Sequence, residues 1–195
     1  EPTDAPTSSI DFTGQLTFNR VSMRYSAETN PALLGISFSV YPGELLAIAG
    51  DSGSGKTTTA KLALGMYRPQ AGTITLDGID IRQLRPITLR QTFAYVPQRN
   101  HAFAGSIFDN IALADPTASL KQVKEACHMA GLLNTIESLP NGFDTAFREG
   151  LEAHVPQGFL RQMALARAFL RDAPVMIMDE PASGLDEKDE QIFME

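Results

Sequence analysis

Residues 45–58, Leu-Leu-Ala-Ile-Ala-Gly-Asp-Ser-Gly-Ser-Gly-Lys-Thr-Thr, constrain this chain more than any other stretch. Leu45–Ala49 is a short apolar run of the kind that forms a strand buried on both faces. It leads into Gly50-Asp51-Ser52-Gly53-Ser54-Gly55-Lys56-Thr57 and then, from Thr58, into a stretch compatible with a helix. The pattern GxxxxGK[ST] between a strand and a helix has a chemical reason. Glycines let successive backbone N–H groups converge on an anion, and the helix N-terminus adds the positive end of its dipole. Lys56 then reaches the β and γ phosphates of a nucleotide, and Thr57 can ligate Mg²⁺. A Gly-Ser surface turn would account for the composition but not for the flanks.

A second signal narrows the field. Pro174 precedes Val175–Met178, another short apolar run, which ends in Asp179-Glu180. A buried strand that delivers two adjacent carboxylates at its C-terminal end suits phosphoryl chemistry, with Asp179 holding Mg²⁺ and Glu180 activating the attacking water. An exposed acidic pair at a strand end is the plain alternative. The phosphate cradle upstream argues against it.

The rest of the chain reads as one α/β domain. Leu16–Phe18 and Ile36–Val40 alternate with period two, as half-buried strands do. Asp77-Gly78 between Ile74/Leu76 and Ile79/Ile81 predicts a hairpin, because both residues tolerate positive φ. Ser119 with Gln122 forms a capping box ahead of Leu120, Val123, Cys127 and Ala130 on one helical face, and Gly131 offers a C-cap. A second apolar helix is expected over about Leu160–Leu170. Residues 1–14, rich in Pro, Ser and Thr, read as a flexible linker, and the chain starts at Glu1 without an initiator Met, so a piece of a longer protein is expected.

Composition excludes more than it selects. The 195 residues carry 16 basic and 23 acidic side chains, a net charge of −7, which argues against nucleic acid as a partner. The single cysteine, Cys127, rules out an intrachain disulfide and reads as core. His101, His128 and His154 share no metal-ligand spacing. No uncharged apolar run reaches the roughly 18 residues that cross a bilayer.

With the cradle and the acidic pair in place, the order of the remaining elements resembles the nucleotide-binding domain of ABC transporters, exporters above all. The resemblance covers everything after the linker, residues 15–195. It implies a P-loop NTPase, RecA-like α/β core with an N-terminal antiparallel β-subdomain and a helical insert over about 100–165. Gly50–Thr58 would bind ATP. Tyr25, in Val21-Ser22-Met23-Arg24-Tyr25, matches the aromatic that stacks on adenine. Gln98, in Tyr95-Val96-Pro97-Gln98, matches the residue that meets Mg²⁺ and the attacking water and reports nucleotide state to the membrane domain. Phe103–Ile111 looks like the exporter stretch that follows. Asp186, in Ser183-Gly184-Leu185-Asp186, matches the loop that crosses a dimer interface. The implied partners are a transmembrane domain fused upstream of Glu1 and a second nucleotide-binding domain, in a homodimer or heterodimer on the cytoplasmic side of the inner membrane. Nucleic acid is not expected.

Two departures stand out. Where the family has Leu-Ser-Gly-Gly-Gln, this chain has Val155-Pro156-Gln157-Gly158-Phe159, and only Gly158 matches. Pro156 supplies neither hydroxyl nor N–H, although it suits the first position of a helix, so the dipole and the Gly158 amide remain as the phosphate-facing groups. The family also has a further strand and a switch His after Asp186, whereas this sequence stops at Glu195 with no His after position 154, so it reads as truncated. The expected function is ATP hydrolysis that powers export. The alternative is an ATP-binding regulatory module, or degenerate half-site, with little hydrolysis. A third reading, an ABC ATPase acting on DNA or ribosomes, is disfavoured by the acidic charge and by Phe103–Ile111.

Overall fold

A computed structural model describes residues 11–26, 28, 30–148 and 155–180. The Asp186 loop, His154 and the first ten residues of the expected linker lie outside them. The chain divides into two compact units, Glu1–Thr92 and Phe93–Glu195.

The first unit is built on a four-stranded antiparallel sheet in the order β2-β1-β3-β4, with β1 at Leu16–Met23, β2 at Leu33–Val40, β3 at Ala71–Leu76 and β4 at Ile79–Asp80. The alternation foreseen for β1 is real but changes phase. Leu16 and Phe18 are buried, then Val21 and Met23, because a bulge between Phe18 and Val21 holds Arg20 at φ 48° and shifts the inward parity by one. Phe18 faces Phe38 on one side, with rings stacked 4.5 Å apart, and Ile74 on the other. Burying such a side chain contributes about 2 kcal/mol. The β3–β4 turn has Asp77 at φ 49° and Gly78 at φ 80°, both left-handed, as the type I′ hairpin requires. The Asp77 carboxylate also accepts N–H groups from Thr13, Gly14 and Gln15 and the Thr13 hydroxyl, so the stretch read as a linker ends in fixed contacts. Helix α1, Lys56–Ala63, follows the glycine-rich loop, and α2, Pro86–Thr92, closes the unit.

One expectation fails here. Leu45–Ala49 forms no strand, and Leu45, Leu46 and Ile48 are exposed, Leu45 by 88%. A strand apolar on both faces needs a pairing neighbour on each edge, and among the described residues none pairs with this run.

The second unit packs helices around a pair of parallel strands, β5 at Phe93–Val96 and β8 at Val175–Met178, in register from Phe93↔Val175 to Val96↔Met178. A short antiparallel pair, β6 at Gly105–Ser106 and β7 at Ala146–Phe147, lies elsewhere in the unit. The helices are α3, Ile107–Ala112; α4, Leu120–Met129; α5, Leu133–Glu137; and α6, Gln157–Arg171. Helices α3 and α4 pack on α6 around Val123, Cys127, Leu132, Ile136 and Met163. The Ser119–Gln122 capping box forms, and Gly131, at φ 68°, ends α4 in a Schellman turn with Leu132 N–H bonded to Cys127 O and Gly131 N–H to His128 O. A second capping box, Ser106 with Asp109, starts α3. Leu120 does not join the buried face: it is half exposed at the first turn, one residue past the cap, while Val123, Ala126 and Cys127 carry the packing. Val175–Met178 form a strand, but all four are only partly buried. No helix among the described residues is long and apolar enough to cross a membrane.

Candidate functional site

In the first unit the site is the loop 50–55 and the start of α1. Gly55 caps the helix in the left-handed conformation, φ 99°, and a Cβ there would meet Ala32 O at 2.6 Å and Leu33 Cδ2 at 2.6 Å. Only glycine fits both the conformation and the space. Gly53, at φ 82°, has open space where a Cβ would stand, so its requirement is conformational alone. The loop thus presents bare backbone, as close approach to phosphate oxygens needs. Lys56 lies folded along it, donating to Gly50 O at 2.7 Å and Asp51 O at 3.0 Å. Those carbonyls hold the ammonium over the mouth of the cradle. Thr57 sits in the first turn of α1. Thr58, 6% exposed, exchanges a 3.0 Å hydrogen bond with the Tyr25 hydroxyl. Tyr25 itself is half exposed and meets Tyr67 edge to face, ring centres 5.3 Å apart at 89°.

In the second unit the site follows from the strand register. Because β5 and β8 run parallel with Val96 opposite Met178, the residues just beyond their C-terminal ends emerge side by side. Asp179 N–H bonds to Val96 O at 2.9 Å, extending the pairing by one step. The structure therefore brings Gln98 up to the adjacent pair Asp179-Glu180, from which it is far removed in sequence. Gln98 Nε2 donates directly to Glu180 Oε2. Asp179 is buried, 5% exposed, and accepts from the Tyr95 hydroxyl at 3.4 Å. Burial, then the Asp179 charge and that hydrogen bond, push the Tyr95 phenol up to about 12, so it stays a neutral donor. Glu180 has φ 50°, unusual for a residue with a Cβ. In this unit Gln98 and Asp179 offer an amide oxygen and a carboxylate, hard oxygen donors of the kind Mg²⁺ takes. Among the described residues no group of three or more His, Cys, Asp or Glu side chains could hold a metal ion.

The signature-like segment also lies in this unit. Pro156 is the N-cap of α6, at φ −55° and ψ 137°, with no side-chain cap, and Gln157 is the first helical residue. Pro156 therefore stands one position before the place expected for it. Pro156, Gln157 and Gly158 are exposed, and a Cβ on Gly158 would meet nothing within 4 Å. The open first turn leaves main-chain N–H groups and the dipole end.

Sequence reasoning passed over three features. Tyr67 and Gln70 support Tyr25, and Tyr95 contacts Asp179. Arg167 on α6 donates to Asn110 O, Asn110 Oδ1 and His101 O and lies over Phe103, 5.5 Å from the ring centre. All are contacts between residues distant in sequence, which no local pattern announces.

A glycine-bare loop capped by a helix, a lysine folded over it, and a carboxylate pair at parallel strand ends define the class of P-loop nucleoside triphosphatases. A family profile described as ABC transporter matches residues 33–183. The chain is 38% identical over 192 residues to an ATP-dependent lipid A-core flippase of Chromobacterium violaceum, covering 98% of this chain and 33% of that protein. It is 41% identical to the Haemophilus influenzae protein of the same name over 91% of this chain and 30% of that protein, and 34% identical to P-glycoprotein 14 of Caenorhabditis elegans over 92% and 14%. A solved bacterial Atm1-family ABC exporter with ATP bound superposes with a TM-score of 0.87 at 33% identity, over 100% of this chain and 33% of the exporter. The chain belongs to the ABC transporter family, with that family's ATPase fold and ATP-binding role. It spans about a third of the length of the flippase relatives it matches.

Proposed function

We propose that this chain is the motor domain of an exporter, binding ATP with Mg²⁺ and hydrolysing it to drive a substrate across a membrane. The observation that supports this most is the Gln98–Glu180 hydrogen bond at the adjoining ends of β5 and β8, with Asp179 beside it. A carboxylate that already grips an amide is set to orient a water for attack on a γ-phosphate. In this reading Tyr25 stacks on adenine, Gly50–Thr58 and Lys56 hold the triphosphate, and Thr57, Gln98 and Asp179 hold Mg²⁺. The metal, when bound, neutralises charge on the phosphates. Pro156, Gln157 and Gly158 face the nucleotide of a second domain, and Asp186 lies at the dimer interface.

Domain organisation follows the same reading: a linker at 1–14, the ATP-binding domain at 15–195, a helical insert over about 100–165, and a transmembrane domain upstream. The motor acts on the cytoplasmic side of the inner membrane, in a homodimer or heterodimer. The relatives named as lipid A-core flippases support a lipid as the cargo class. ATP turnover by wild type and Glu180→Gln tests the motor: the substitution is expected to cut turnover by about a hundredfold or more while ATP still binds. Equal rates would refute the motor and favour the alternative, a regulatory or degenerate half-site that binds ATP with little hydrolysis. Pro156 is the specific observation in favour of that second reading, because the N-cap of α6 carries no hydroxyl to meet a γ-phosphate.

A further inference from the structure

Helix α1, which leaves the phosphate cradle, is fastened to the Tyr25 segment at both of its ends. At the first turn, Thr58 Oγ1 and the Tyr25 hydroxyl are 3.0 Å apart. Beyond the last turn the chain reverses at Gly65, φ 67°, where a Cβ would lie 2.5 Å from Leu89 Cδ2, with Met66 N–H returning to Lys61 O at 2.9 Å. This reversal delivers Tyr67 against the Tyr25 ring, edge to face, and Gln70 against the preceding residue. The Gln70 carboxamide acts there as a surrogate strand: Arg24 N–H donates to its Oε1 at 2.5 Å, and its Nε2 donates to Arg24 O at 2.6 Å. Gln70 N–H adds a bond to Ser22 O at 3.0 Å.

The Arg24-Tyr25 segment is thus held at three points, all from the polypeptide that continues out of the cradle. The hydroxyl of Tyr25 is fixed by Thr58, its ring by Tyr67, and the backbone of the residue before it, Arg24, by Gln70. Tyr25 and Tyr67 are 50% and 40% exposed, so this assembly contributes little to a buried core. Edge-to-face pairs and a two-bond carboxamide clamp are expensive to assemble on a surface unless orientation matters. Glutamine meets the N–H and the C=O of Arg24 at once, whereas glutamate could accept but not donate.

We infer that Tyr67 and Gln70 are positioning residues for nucleobase recognition, setting the tilt of the Tyr25 face relative to the phosphate cradle for the purine ring of a nucleoside triphosphate. The inference rests on the proposed role of Tyr25. It goes beyond that role by assigning the base-recognition geometry to the turn after α1.

The test uses the full chain and two probes with Mg²⁺, ATP and inorganic triphosphate, titrated calorimetrically. Tyr67→Ala and Gln70→Ala are expected to weaken ATP binding roughly three- to tenfold. Inorganic triphosphate, which has no base, should bind each variant as it binds wild type. Tyr67→Phe should bind ATP like wild type, because the ring pair is kept, and Gln70→Glu should not rescue. Tyr25→Ala runs alongside. If Tyr25→Ala weakens ATP binding and Tyr67→Ala does not, the inference is overturned and the role of Tyr25 stands. If Tyr25→Ala binds ATP like wild type, both fall. Parallel losses for ATP and inorganic triphosphate would mean that the turn merely supports the fold, which also overturns the inference.

Discussion

Asn110→Ala is expected to be among the most damaging single substitutions in the second unit. Asn110 is 1% exposed and uses its whole carboxamide. Its Oδ1 accepts Phe103 N–H at 2.7 Å and Arg167 Nη2 at 3.0 Å, and its Nδ2 donates to Phe103 O at 2.8 Å and Ser106 O at 2.9 Å. Alanine removes all four bonds. Each such bond is worth about 1 kcal/mol net, and a buried group left without a partner costs about 1–3 kcal/mol. Because the four share one side chain, their losses do not simply add. A loss of about 4 kcal/mol is the working figure, a large part of a typical margin of about 5–15 kcal/mol. At this chain length it corresponds to a fall in Tm of roughly 8–16 °C. Asn110→Asp keeps the two acceptor bonds but sets a carboxylate against the carbonyls of Phe103 and Ser106, so it should also be destabilising. Since the protein has no tryptophan, urea unfolding is best followed by far-ultraviolet circular dichroism. An Ala variant within about 1 kcal/mol of wild type would refute the view that this carboxamide pins the 103–106 loop to α3 and α6.

Cys127 is fully buried, and burial pushes its thiol up to about 12. Iodoacetamide at pH 8 should leave it unmodified in the folded chain, with mass spectrometry showing one adduct only after urea is added. At Asp77, burial raises the carboxyl pKa, but hydrogen bonds from Thr13, Gln15 and Gly14 outweigh it and leave a net lowering from 3.8. A lowered carboxyl stabilises fully above its unfolded value and loses that contribution as pH falls through the folded value. Amide exchange at Thr13–Gln15 should therefore accelerate below about pH 4 in wild type, and Asp77→Asn should show fast exchange already at pH 6. Gly55→Ala places a Cβ 2.6 Å from Ala32 O in a left-handed conformation. It should cost at least about 1–2 kcal/mol and abolish ATP binding by calorimetry, whereas Gly158→Ala, where the added Cβ meets nothing within 4 Å, should cost no stability.

What the sequence made legible is what a few neighbouring residues decide. Asp77-Gly78 specifies its turn, Ser119-Gln122 its cap, Gly131 the end of α4, and the apolar spacing of 160–170 its helix. What it left obscure depends on partners. The Arg20 bulge reverses the inward parity of β1 without any proline or glycine to mark it. Leu45–Ala49 has the composition of a buried strand, yet strand formation is a property of an edge and its neighbour, and composition names only one of the two. The Tyr67–Gln70 and Asn110–Arg167 contacts likewise join segments whose separation no period encodes.

Glu180 is where local rules and function part most clearly. Its φ of 50° would suit glycine or asparagine, and a glutamate in that conformation costs on the order of 1 kcal/mol or more. The sequence offers no turn residue there, so propensity alone would have misjudged the backbone. The left-handed step turns the chain sharply at the end of β8, just after Asp179 has made its last bond to β5, and at this turn the Glu180 carboxylate meets Gln98. Replacing Glu180 by glycine should relieve the backbone cost while removing the carboxylate. A gain in stability together with a loss of turnover is therefore the expected result, with both read on one preparation by thermal melting and phosphate release. A glycine variant less stable than wild type would mean that the Gln98 bond, and not the proposed catalytic role of the carboxylate, accounts for glutamate at this left-handed position.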